Sequence, residues 1–167
     1  AGSVGKEVFH VNLRIVDEQG RDIHTADPGE ILVQGPNVFS RYWNNETATK
    51  AAFRDGWFCT GDMGRRDEEG FVYIVGRKVE MIISSGENIY PVEVERALQT
   101  LPGVKEAAVV GIPDPKRGEV VGAFIIPNRE MQMPEADIIN ALSGKIANFK
   151  VPRRVFLVDE FPRNQSG

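Results

Sequence analysis

An ionised aspartate accepts hydrogen bonds and donates none, so a carboxylate beside a glycine, where backbone can approach a ligand closely, can take both hydroxyl protons of a vicinal diol. The run Gly56-Trp57-Phe58-Cys59-Thr60-Gly61-Asp62 offers that carboxylate at Asp62, and fifteen residues later Gly76-Arg77 offers a guanidinium. Each pattern alone is equally a turn and a solvated cation, because motifs of two or three residues recur by chance. Their separation, with the turn Asp67-Glu68-Glu69-Gly70 and the apolar Val72-Tyr73-Ile74-Val75 between them, turns the balance from the bland reading toward a functional one. A second candidate offers backbone rather than side chain. Behind the apolar Met81-Ile82-Ile83, the polar Ser84-Ser85-Gly86-Glu87-Asn88 is in its plainest reading a hairpin turn, which Gly and Asn favour. No G-x-x-x-x-G-K phosphate loop occurs in the chain, and Cys59, without a neighbouring histidine, has the setting of a small packing residue.

The elements that must carry these groups follow from periodicity. Residues 8 to 16 alternate, with Phe9, Val11, Leu13 and Ile15 on one side, as a half-buried strand does. Further strands are expected at 30–34 and 71–75, and Thr60-Gly61-Asp62 is placed where one β segment ends and another begins. A one- or two-turn helix over 45–53 takes Asn45 or Thr47 as its cap. Beyond Gly76 the pattern turns to mixed α and β. Pro91 opens a helix whose Val94, Leu98 and Leu101 share a face, and Pro102-Gly103 stops it. Strands follow at 106–112 and 120–126, then a helix from Pro134 to about Ala147 with Ile139, Leu142 and Ile146 inward, and a last strand at 154–158. The expectation is an α+β chain: residues 1–76 a small antiparallel, barrel-like β subdomain, 77–80 a joint, and 81–167 a small α+β domain.

Composition narrows the function classes. The 167 residues are 41% hydrophobic and 26% charged, as in soluble globular proteins. A net charge of −4 argues against a nucleic-acid surface, although Lys150, Arg153 and Arg154 form a local basic cluster. The single cysteine excludes an internal disulfide, and two histidines with one cysteine exclude a structural zinc site. No apolar run nears the roughly 20 residues that span a bilayer. The first residues lack a secretory core, so the expected location is cytoplasmic, and the sequons at Asn45 and Asn164 are read as chance. Trp43 and Trp57 are expected to pack or to anchor loops.

Taken together, Gly56–Asp62, the run Gly76–Glu95 and the closing Asn164-Gln165-Ser166-Gly167 resemble, in order and separation, the adenylate-forming superfamily and within it the AMP-forming acyl-CoA synthetases. The run Gly29–Asn44 extends the resemblance over nearly the whole chain. It implies the C-terminal portion of an enzyme that uses ATP with Mg2+ to convert a carboxylic acid, fatty or otherwise, to an acyl-adenylate, then transfers the acyl group to CoA with release of AMP. Asp62 and Arg77 take the nucleotide ribose-binding roles. Val79 takes the hinge about which the small domain rotates, where the family usually has aspartate or lysine; valine leaves the rotation and removes any side-chain role. Ser85, Gly86 and Glu87 take the loop along the pantetheine arm of CoA.

The resemblance places no catalytic group in this chain. The expected lysine would follow Gly167, and neither Lys150 nor Arg163 aligns with it. The phosphate loop, adenine pocket and acyl pocket belong to the missing N-terminal domain, the partner this piece requires, so the piece alone is expected to be inactive. Rival readings are an amino-acid-activating or luciferase-like relative, and a non-catalytic nucleotide- or partner-binding module.

Overall fold

A computed structural model describes residues 2–128 and 134–163 and divides the chain into two compact units, Ala1–Val79 and Glu80–Gly167. The α+β expectation stands.

The first unit is built on a five-stranded antiparallel sheet. Strands β1 (Asn12–Val16) and β2 (Gly29–Gln34) precede helix α1 (Glu46–Ala52); β3 (Phe53–Arg54), β4 (Trp57–Arg66) and β5 (Val72–Arg77) follow. The order is β1-β2-β4-β3, with β5 also against β4. Asn45 caps α1, its Oδ1 accepting the Ala48 N–H at 2.9 Å. β1 starts four residues later than the alternation predicts. The chain turns at Phe9-His10, where the Val11 N–H donates to the Val8 carbonyl and His10 has φ 66°, leaving Phe9 88% exposed. The buried cluster on one face is small: Ile15, Ile31 and Val72, flanked by Leu13, Ile23 and Val33. Trp43 is no packing residue, since it is 84% exposed; Trp57 is partly buried, with the Arg14 guanidinium 5.3 Å from its ring centre.

The second unit has strands β6 (Ile82–Ser84), β7 (Glu87–Ile89), β8 (Val104–Asp114), β9 (Gly118–Pro127) and β10 (Arg154–Leu157), and helices α2 (Pro91–Gln99) and α3 (Glu135–Leu142). The long β9 is antiparallel to β8 over its whole length, parallel to β10, and touches β6 at Ser84↔Gly118. Helical spacing brings Val94 and Leu98 of α2 and Ile138 and Leu142 of α3 to full burial against Ile82, Ile89, Val109, Val121, Ala123, Ile125 and Val155. α3 is shorter than the sequence suggests. Ser143 is extended and Gly144 takes φ 84°, so the helix stops at Leu142 and Ile138 becomes the inner residue, with Ile139 and Ile146 half-buried beside it. Glu95 of α2 meets the edge of the sheet at β8, which pairs only with β9 among the described residues, and its carboxylate accepts the Val109 N–H at 2.9 Å. Burial raises the Glu95 pKa, against that hydrogen bond and with help from the nearby Glu80. Among the described residues no helix is long and apolar enough to cross a membrane.

Candidate functional site

Thr60-Gly61-Asp62 lies inside a single strand, not between two as the sequence suggests. β2 and β4 pair at Glu30↔Met63 and again at Leu32↔Cys59, so Ile31 alone faces Thr60, Gly61 and Asp62, and the surplus residues bulge. Gly61 absorbs the bulge at φ 73°. Thr60 locks it: its hydroxyl donates to the Ile31 carbonyl at 2.8 Å and accepts the Asp62 N–H at 3.0 Å. On the other edge of β4, Asp62 pairs in register with Arg77 of β5, and Arg77 Nε donates to Asp62 Oδ1 at 2.8 Å. The two sequence candidates are therefore cross-strand neighbours. Asp62 keeps its second oxygen for another donor, and Arg77, 61% exposed in its side chain, keeps its outer nitrogens.

Two residues beside this pair escaped the sequence reading. Glu30 is nearly buried on β2, and Lys78 reaches it from the turn after Arg77, Nζ to Oε2 at 2.7 Å. Their partnership spans 48 positions and has no local signature. Cys59 lies near them. Its thiol pKa is raised by burial and then by the Glu30 carboxylate, against the weaker pull of Arg54 and Lys78, which keeps it protonated at neutral pH. Val79 follows in the 3-10 turn Lys78–Glu80 and is 89% exposed.

The second candidate is tighter than the sequence loop. Ser85 (φ 53°) and Gly86 (φ 86°) form a two-residue turn with both central residues left-handed, so Glu87 and Asn88 belong to β7. A Cβ at Gly86 would meet nothing within 4 Å, so within this chain the backbone angle, not space, calls for glycine. The Arg117 guanidinium donates to Ser85 Oγ at 3.3 Å.

Lys150 is paired with Glu93 at 2.7 Å and Arg163 with Glu106, so both are engaged surface cations. Among the described residues no three His, Cys, Asp or Glu side chains gather to hold a metal ion. Residues 164–167, with the closing motif, lie outside the described residues. A cleft of ≈ 570 Å³ in the first unit, lined in part by Arg14, Arg65 and Arg66, includes neither Asp62 nor Arg77. Its arginines are occupied, Arg14 by Asp22, Arg66 by Glu7, and Arg65 over the Tyr73 ring.

The bulged Thr-Gly-Asp with its cross-strand arginine sits in a β unit that a small α+β unit follows, and sequence comparison supplies the class. Residues 1–43 match the family of AMP-binding enzymes, and residues 93–167 match the AMP-binding enzyme C-terminal domain. The chain belongs to the AMP-binding, adenylate-forming enzymes, as their C-terminal portion. It is 47% identical over 167 residues to an indoleacetate–CoA ligase of Aromatoleum aromaticum, covering 100% of this chain and 33% of that protein. Its fold superposes on ATP-bound MatB from Rhodopseudomonas palustris with a TM-score of 0.93 at 42% identity, covering 99% of this chain and 33% of the other. The o-succinylbenzoate CoA synthetase MenE of Bacillus subtilis, in complex with its acyl-adenylate intermediate, gives 0.91 at 40% identity, covering 99% and 34%. The chain thus spans about a third of the length of the curated relatives it matches.

Proposed function

We propose that this chain is the C-terminal part of an AMP-forming acid–CoA ligase. The whole enzyme joins a carboxylic acid to ATP, giving acyl-adenylate and pyrophosphate. It then transfers the acyl group to the CoA thiol, giving the thioester, AMP and the thiol proton. The observation that carries this reading is the Asp62–Arg77 pair, an acceptor-only carboxylate steadied by a guanidinium on the neighbouring strand. The Asp62 carboxylate receives the ribose hydroxyls of ATP and of the adenylate, and Arg77 reaches the same nucleotide. Aspartate and arginine suit that task, one as acceptor of a diol and the other as a fixed fork of donors.

Val79 is the joint in this reading. Its exposure leaves its side chain without packing to lose on rotation, while its β-branch narrows the conformations it visits. Ser85, Gly86 and Glu87 border the path of the CoA pantetheine arm. A lysine after Gly167 bridges the carboxylate and the α-phosphate as charge develops between them. Mg2+ would offset phosphate charge in the whole enzyme, and among the described residues no three His, Cys, Asp or Glu side chains gather that would hold it. The acid, fatty or otherwise, is selected by the N-terminal portion, and the protein works in the cytoplasm. The 167-residue piece alone is inactive and binds AMP weakly; a submicromolar affinity by calorimetry contradicts that.

The test is pyrophosphate exchange by the full-length protein over a panel of carboxylic acids, followed by chromatography for the acyl-CoA. Acid-dependent exchange with thioester formation supports the ligase. Exchange restricted to amino acids, or light emission with oxygen, favours the amino-acid-activating or luciferase-like alternatives. No exchange with any acid favours a binding module.

A further inference from the structure

β6 pairs with β7 along its whole length, but on its other side it has little backbone pairing. β6 is three residues long and meets β9 in register only at Ser84↔Gly118. Past that point a side chain takes over: the Ile83 N–H donates to Glu119 Oε2 at 2.9 Å. The Ser85 N–H donates to the Arg117 carbonyl at 2.9 Å, and the Arg117 guanidinium returns to Ser85 Oγ. The turn that supplies these groups is itself fixed, because Asp114 Oδ1 accepts the N–H groups of Lys116 and Arg117, each at 3.0 Å. Three consecutive residues, Arg117, Gly118 and Glu119, thus splint the strand and turn that present Ser85 and Gly86.

Glu119 reaches Ile83 because Gly111 leaves room for it. A Cβ at Gly111 would stand 2.5 Å from Glu119 Oε1, 2.7 Å from Cδ and 3.0 Å from Oε2, and it would touch nothing else so closely. The obstructed atoms are the free end of a flexible side chain. An alanine at 111 therefore evicts the carboxylate from its place while leaving the strand backbone intact. The pairing of a side-chain-free position with a carboxylate folded across it serves the Ile83 amide and, through it, the turn.

The geometry points to Glu119, seated over Gly111, as a positioning residue that sets the Ser85–Gly86 turn for the CoA thiol step, an assignment that rests on the ligase reading above. Glu119 touches no substrate in this account. It holds backbone past which the pantetheine arm runs, and so it governs the second half-reaction without entering the first.

The experiment compares Glu119→Ala, Gly111→Ala and Glu119→Gln in the full-length protein. Both alanine variants raise the KM for CoA about tenfold while acid-dependent pyrophosphate exchange stays within about twofold, since a misplaced positioning element costs the step it serves. Glu119→Gln, whose amide oxygen still accepts the Ile83 N–H, restores the KM. Amide exchange at Ile83 and Ser85 quickens about tenfold in the alanine variants and not in the glutamine one. A parallel fall in both half-reactions, an unchanged KM for CoA, or unchanged amide exchange overturns the assignment. If the parent protein makes no acyl-CoA from any acid, the ligase reading itself fails and carries this inference with it. Thioester formation that is indifferent to both alanine variants sinks the Glu119 assignment alone.

Discussion

The two units of this chain bury their apolar residues on different scales. In the second, twelve buried residues from both helices and several strands form one cluster, with Val94, Leu98, Ile138 and Leu142 at zero exposure. In the first, the cluster is Ile15, Ile31 and Val72, and elsewhere in the unit Val8, Phe9 and Trp43 are left 67%, 88% and 84% exposed. Hydrophobic burial offsets chain entropy only when enough of it is gathered in one place. The second unit therefore has the core to carry its own stability, whereas the first has far less buried apolar surface to draw on.

Separating the units at Val79 is the strongest way to break that contrast. Residues 80–167 should unfold in one cooperative transition, and residues 1–79 should show none; a sharp transition in the shorter piece would remove the distinction. Within the larger core, Leu98→Ala should cost about 3 kcal/mol in chemical denaturation, the usual loss for an emptied leucine site, and a loss below about 1 kcal/mol would mean the cluster is loosely packed. Asp62→Ala should raise the KM for ATP in pyrophosphate exchange by about thirtyfold, roughly 2 kcal/mol, the scale of hydrogen bonds to a charged group. Stability should hardly move, because its pair with Arg77 lies near the surface. Equal loss of stability and exchange would recast Asp62 as a structural residue.

Gly86→Ala should cost about 1 kcal/mol in stability, since an L-residue at that positive φ is strained. It should act on thioester formation and not on exchange. The smallest effect concerns Glu95. Its pKa is raised in the folded state, so the stability it contributes is full below the ordinary value of 4.5 and is lost as pH rises through the higher folded value. Glu95→Gln, which still accepts the Val109 N–H, should flatten the stability profile above pH 4.5, and a profile superimposable on the parent's would refute the linkage.

Part of the candidate site was legible because residue type and order mark it. Asp62, Arg77 and the Ser85-Gly86 turn were singled out through motifs that resemble a known family in order and separation, and the structure brings the first two into contact. The bulge that presents Asp62 was not legible, since it depends on how many residues of β4 oppose Ile31, a property of pairing between distant strands. Lys78 with Glu30 and Glu119 with Ile83 were hidden for the same reason, their partners lying 48 and 36 positions apart. In the fold, α2 was plain from its proline start and apolar spacing. α3 was overextended because Gly144 ends it while Ile146 keeps the period going. β1 was overextended in a similar way, because apolar alternation runs on through Phe9 while the backbone turns away.

Both tryptophans, Trp43 and Trp57, belong to the first unit, and of the three tyrosines only Tyr90, 7% exposed, lies in the second. Indole emission is thus blind to the larger core, and a buried phenol is its native spectroscopic counterpart. Indole emission in one intact molecule therefore follows the first half without attaching a dye, while Tyr90 shares its phenol absorption with Tyr42 and Tyr73 of that half.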